Sequence, residues 1–144
     1  MNDIKNLSLL LDFYELTMAA VYFKFKPQAK ATFDLFVREL PRRRAFLIAC
    51  GLDDVILYLK NFSFTASDMA YLKKLKFSAD FLKYLSKLRF TGECWAVKEG
   101  TIVFPQEPIV RITAPIIEAQ IVESYLLNVI NLQTTLPQKP FASY

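Results

Sequence analysis

GTIVFPQEPIVRITAPIIEAQIVE, residues 100–123, carries two kinds of order in one line. With the residues before it, the first part reads WAVKEGTIVF, and PIVRITAP follows. Both are rich in Val, Ile and Thr, which pack well on a pleated surface, and they flank a turn around Pro105 to Pro108. A hairpin is expected. Pro115 suits the first turn of a helix, where a missing N–H costs nothing because that donor has no partner in any case. The helix itself, IIEAQIVESYLLNVINL, places Val122, Leu126 and Val129 on one face.

Upstream the same two periods recur. In LLLDFYELTMAAVYF (9–23), Leu9, Phe13, Leu16, Ala20 and Phe23 recur at steps of four and three, which predicts one buried helical face. Asp12 and Glu15 have the spacing of a capping box, in which both side chains satisfy unpaired backbone N–H groups. Tyr14 lies off that stripe. With Met18 and Val21 it forms a neighbouring one, open to ordinary packing or to a second surface. In KFKPQAKATFDLFVRELP, Phe33, Leu35 and Val37 alternate with Thr32, Asp34, Phe36 and Arg38, a strand that Pro41 closes and that puts Arg38 on the face of Asp34. RAFLIACGLDDVILYLKNF returns to helical spacing, with Gly51 weakening its middle by about 1 kcal/mol relative to Ala. TASD at 65–68 and Ser78 mark two further helix starts. The fold class is therefore α+β, helices packed on a small, mostly antiparallel sheet.

Composition removes whole classes of chemistry. Histidine is absent from the 144 residues, so Ser-His-Asp triads, Cys-His dyads and most zinc sites are excluded. Three glycines leave no Gly-rich phosphate loop. Cys50 and Cys94 lack CxxC spacing and read as reduced thiols, with no disulfide framework or metal site. Asp53 and Asp54 are adjacent on a helix, point to different sides, and read as surface residues. The opening MNDIKN lacks the basic region of a signal peptide, and no apolar run is long enough to span a bilayer. A cytoplasmic protein is expected. The net charge of +4 comes from Arg42, Arg43 and Arg44 and from Lys73 to Arg89, where charges alternate with apolar residues as on solvated helix faces. No nucleic-acid-binding motif accompanies them, although Arg forks at a loop would suit a phosphate-bearing small molecule. A chain 53% hydrophobic, with mean hydropathy +0.23, is oily for its size. The excess suggests a surface that covers another domain or subunit.

Four blocks, LLLDFYELTMA, FDLFVRELP, RAFLIACGLDDVILYL and FTGECWAVKEGTIVFPQEPIVRITAPIIEAQIVESYLLNVINLQT, follow in order. Together they resemble the N-terminal region of nicotinate phosphoribosyltransferase over residues 7 to 134, the N-terminal domain of a type II phosphoribosyltransferase without its α/β barrel. The resemblance implies an enzyme that joins nicotinate to 5-phosphoribosyl 1-diphosphate, giving nicotinate mononucleotide and pyrophosphate. ATP hydrolysis, with Mg, is coupled through a phosphorylated histidine, and subunits pair head to tail so that one N-terminal domain covers the other's barrel active site. It further implies that Tyr14 stacks on nicotinate across that interface. Asp12 has a double reading, helix cap or support for Tyr14. Arg38 does too, phosphate contact or ion pair with Asp34 or Glu39.

The resemblance assigns residues 1–134 to this domain and leaves 135–144 as a divergent, disordered tail. There TLPQKPFASY keeps only Lys139 of the family's pattern, and Pro137 and Pro140 would break the helix expected to continue. The tail reads as a frame change or early truncation. Without histidine or barrel, the chain is expected to be inactive alone and to bind neither ATP nor Mg. Two other readings are a regulatory or inert fragment docking on an intact enzyme and a basic nucleic-acid-binding module.

Overall fold

The last helix organises the molecule because it is apolar on nearly every side. In the computed structural model, which describes residues 7–42 and 44–135, it is α5 (Ile116–Thr135), and Ile117, Ala119, Ile121, Val122, Tyr125, Leu126 and Ile130 are all buried. Before it come α1 (Phe13–Phe25), β1 (Lys30–Phe36), β2 (Leu47–Ile48), α2 (Leu52–Asn61), α3 (Ala66–Lys74), α4 (Ala79–Lys87), β3 (Glu93–Ala96), β4 (Ile102–Val103) and β5 (Pro108–Pro115). The α+β class holds, and every strand pair is antiparallel.

The expected hairpin forms only in part: Glu93–Ala96 pairs antiparallel with Val110–Thr113, but Ile102–Val103 pairs elsewhere. WAVKEGTIVF is split by a turn at Gly100, whose φ of +82° suits a residue without Cβ, so its two halves enter different sheets. β3 and β1 pair with opposite edges of β5, in the order β1-β5-β3, whereas β4 pairs only with β2. Pro115 is the last residue of β5, opposite Lys30, and the helix begins just after it. One face of the large sheet, with Val110, Ile112 and Ala114, is buried on the α5 side. The other carries cross-strand pairs: Thr32 Oγ1 lies 2.9 Å from Thr113 Oγ1, and Arg111 donates to Asp34 at 2.6 and 2.8 Å. Gly92, just before β3, lets the chain run close to β5, since a Cβ there would lie 2.4 Å from that of Ala114.

The helix foreseen over RAFLIACGLDDVILYLKNF begins only at Leu52. Gly51, at φ +95°, is the turn before it, and Leu47–Ile48 form β2. The α2 start has no capping side chain of its own. Instead the Glu99 carboxylate accepts the N–H groups of Gly51 and Leu52, each at 2.8 Å. The starts foreseen at Thr65 and Ser78 are present, each hydroxyl accepting the N–H three residues on. α4 lays Phe81 and Tyr84 against Phe23 of α1, with ring centroids 5.6 and 5.1 Å apart.

Candidate functional site

The site grows from the first turn of α1. Its buried residues are Glu15, Leu16 and Ala19, so the stripe foreseen from Leu9 to Phe23 is displaced. Leu9, Ala20 and Phe23 are half-buried, and Phe13 is 58% exposed, touching only the edge of the core through Phe77. The helix has apolar residues on all sides, and packing against α5 chooses the side that a spacing rule cannot. The capping box is present: Glu15 Oε2 accepts the Asp12 N–H at 3.1 Å, and the Asp12 side chain faces the Glu15 N–H in return, at less than full hydrogen-bond quality.

Tyr14 is 48% exposed and shares its face with Met18 and Val21, which are also exposed. The second stripe thus meets open surface. Partial burial, then the charges of Glu123, Glu15 and Asp12, push the Tyr14 hydroxyl above the usual phenol range, so it is a neutral donor at physiological pH. Glu123, on α5, also lines a groove of 390 Å³ between that helix and β1, walled by Phe33, Leu35, Val122 and Leu126. Asp34 stands at its rim.

Glu15 is the residue whose role spacing did not reveal. It is 0% exposed, and its Oε1 accepts both the N–H (3.1 Å) and Oγ–H (3.0 Å) of Ser124. Burial, partly offset by these hydrogen bonds and the one from Asp12, raises its carboxyl to about 7. Sequence marked Glu15 as a cap and Ser124 not at all. The only signal was an acid inside an apolar block.

Arg38 lies beyond the end of β1, after a register break between Leu35 and Phe36, and is exposed beside Glu39 and Gln106. The ion pair suggested with Asp34 is not made, because Arg111 occupies that carboxylate from β5. The Asp34 carboxyl is held below its ordinary range by that hydrogen bond. Arg42 is exposed and Arg44 half-buried, while Arg43 lies outside the described residues. Asp53 and Asp54 are exposed, as expected, and Asp54 accepts a hydrogen bond from Gln133 at 2.6 Å. Cys50 and Cys94 are half-buried and are not joined in a disulfide. Pro137, Lys139 and Pro140 lie outside the described residues. Among the described residues no helix is long and apolar enough to cross a membrane.

Comparison with known proteins places this geometry. A sequence model of the nicotinate phosphoribosyltransferase (NAPRTase) N-terminal domain matches residues 9–131. The chain is 47% identical over 133 residues to a nicotinate phosphoribosyltransferase of Mycobacterium tuberculosis, covering 92% of this chain and 29% of that protein. It is 44% identical over 136 residues to the Bacillus subtilis nicotinate phosphoribosyltransferase, covering 93% and 28%. The crystal structure of human nicotinic acid phosphoribosyltransferase superimposes with a TM-score of 0.75 at 29% identity, over 83% of this chain and 25% of that one. The chain thus spans less than a third of the length of the curated relatives it matches.

Proposed function

The chain belongs to the nicotinate phosphoribosyltransferase family, and from that premise we propose that it serves to join nicotinate to 5-phosphoribosyl 1-diphosphate, with Tyr14 set against the nicotinate ring. One observation carries the reading. Tyr14 presents a half-exposed ring at the head of a continuous exposed apolar stripe of α1, with Met18, Val21 and Phe25 on the same side. A flat heteroaromatic ring stacks on such a face while the hydroxyl bonds toward Glu123. Asp12 and Glu123 surround the ring with negative charge. The carboxylate of nicotinate therefore points away from α1, toward groups from elsewhere in the enzyme.

In this reading two subunits of a cytoplasmic enzyme pair head to tail, and the α1 face covers a partner's active site. Arg38, with its exposed guanidinium, approaches phosphate groups. ATP and magnesium complete the full enzyme's reaction, a ligase-type coupling that yields nicotinate mononucleotide and pyrophosphate. Among the described residues no three His, Cys, Asp or Glu side chains converge, and the chain has no histidine. The part this domain plays is binding and orientation.

The test is a chimera in which residues 7–134 replace the matching region of the Bacillus subtilis relative. It is expected to form nicotinate mononucleotide, and the 144-residue chain alone to form none. In the chimera Tyr14→Ala is expected to lower kcat/KM for nicotinate by up to about tenfold, the worth of one aromatic stack, with the melting temperature nearly unchanged. Tyr14→Phe should retain most activity. An Ala variant that melts several degrees early with unaltered kinetics would mean that Tyr14 only packs.

A further inference from the structure

Tyr14 and Glu15 are neighbours that face opposite ways, one outward and one into the core. The Glu15 carboxylate reaches in two directions. One oxygen takes the N–H and Oγ–H of Ser124, in the middle of α5, and the other takes the Asp12 N–H at the start of α1. No cation among the described residues pairs with it. Asp12 approaches from its own end of α1, Glu123 from α5, and Tyr58, whose hydroxyl has no partner among the described residues, from α2.

Leu16 and Ala19 already glue α1 to the core, but apolar contact is non-directional and lets a helix rock or turn. Hydrogen bonds fix angle as well as distance. A carboxylate tied to both helices sets the rotation of the α1 first turn, and Tyr14 rides on that turn. Errors of about 1 Å in such a ring are costly when it must orient a substrate.

We propose that Glu15 is a positioning residue, holding the first turn of α1 to Ser124 so that the Tyr14 ring is aimed at its aromatic substrate. This rests on the reading of Tyr14 given above.

Two measurements test it. The first is hydrogen–deuterium exchange on the 144-residue chain itself. Glu15→Ala is expected to speed exchange across residues 12–18 and leave 19–25 and α5 as they were. Glu15→Gln, whose single oxygen keeps the Ser124 bonds but loses the one from Asp12, and Ser124→Ala should both fall between the parent and Glu15→Ala. No change, or a uniform rise through α1 and α5, overturns the proposal. The second is kinetics in the chimera. Glu15→Ala should raise KM for nicotinate about three- to tenfold, in step with Tyr14→Ala, leave KM for 5-phosphoribosyl 1-diphosphate unaltered, and be rescued in part by Glu15→Gln. If Tyr14→Ala raises that KM and Glu15→Ala does not, the positioning role is wrong and the Tyr14 reading stands. If Tyr14→Ala changes nothing, the Tyr14 reading has failed, and the positioning role is overturned with it.

Discussion

A buried acid with no counter-charge among the described residues is an unusual neighbour for an exposed ring, and its surroundings shift its proton affinity. Burial lifts the Glu15 carboxyl from 4.5 to about 7, against the hydrogen bonds from Ser124 and Asp12 that favour the charged form and with a small push from the charges of Glu123 and Asp12. The folded state therefore holds this proton more tightly than the unfolded chain does. The stability that goes with it is fully present below about pH 4.5 and is lost as pH rises toward 7, with no further loss above. The span is on the order of 3 kcal/mol. Denaturant titrations from pH 4 to 8 are expected to show this decline in the parent and a flatter profile in Glu15→Gln. A Gln variant with the same slope would place the titration elsewhere. None of this was readable from the sequence, because a cap and a core tie look alike at the level of spacing. Glu15 occupies the right position for the box, and only packing decides that the same carboxylate also reaches Ser124, 109 positions away.

Elements divide by where their end signals come from. The starts of α3 and α4 were legible because Thr65, Asp68 and Ser78 bond within three residues of themselves. The start of α2 was not, since its cap is Glu99, 47 or 48 positions away, and nothing near Gly51 announces it. The apolar spacing of RAFLIAC simply runs on into that of α2, so strand and helix merged into one reading. β2 and β4, two residues each, are too short to show any period and exist through each other. The same turn at Gly100 that hid the α2 cap also broke the supposed hairpin. These two features make a sharp prediction. Gly51→Ala meets both a left-handed φ, costing about 1–2 kcal/mol, and a Cβ only 3.0 Å from Val129 Cγ1. Glu99→Ala removes two charge-assisted bonds from a helix N-terminus, costing about 1–3 kcal/mol. Thermal melts of the chain should fall for both, and because both act at the same turn the double variant should lose less than the sum. Full additivity would show that Glu99 does not cap α2.

At the scale of the whole molecule, the oily composition and the exposed surface are the same fact. Leu10, Phe13, Tyr14, Met18, Val21 and Phe25 are all exposed along the first 25 residues, and Trp95 stands 69% exposed at the other edge strand of the sheet. Sequence anticipated an excess of apolar surface without saying where it lay, since α1 is apolar all round and only the fold decides which side is left outside. The core did not need these residues. The buried cluster draws on all five helices and the sheet and includes none of those side chains, so the exposed face is largely surplus to the core and suits a partner. Contiguous apolar patches of this kind associate in water when their partner is missing. The isolated chain is therefore expected to self-associate at roughly tens of micromolar in sedimentation velocity. Charge placed on the patch should reverse it: Val21→Lys with Phe25→Lys, both on exposed positions that carry no core contact of their own, is expected to shift the chain toward monomer without lowering its melting temperature. The same pair in the chimera should weaken subunit pairing and, with it, turnover. A parent chain that sediments as a clean monomer would break the link between this face and a partner, since surface this apolar that stays soluble and single needs no cover.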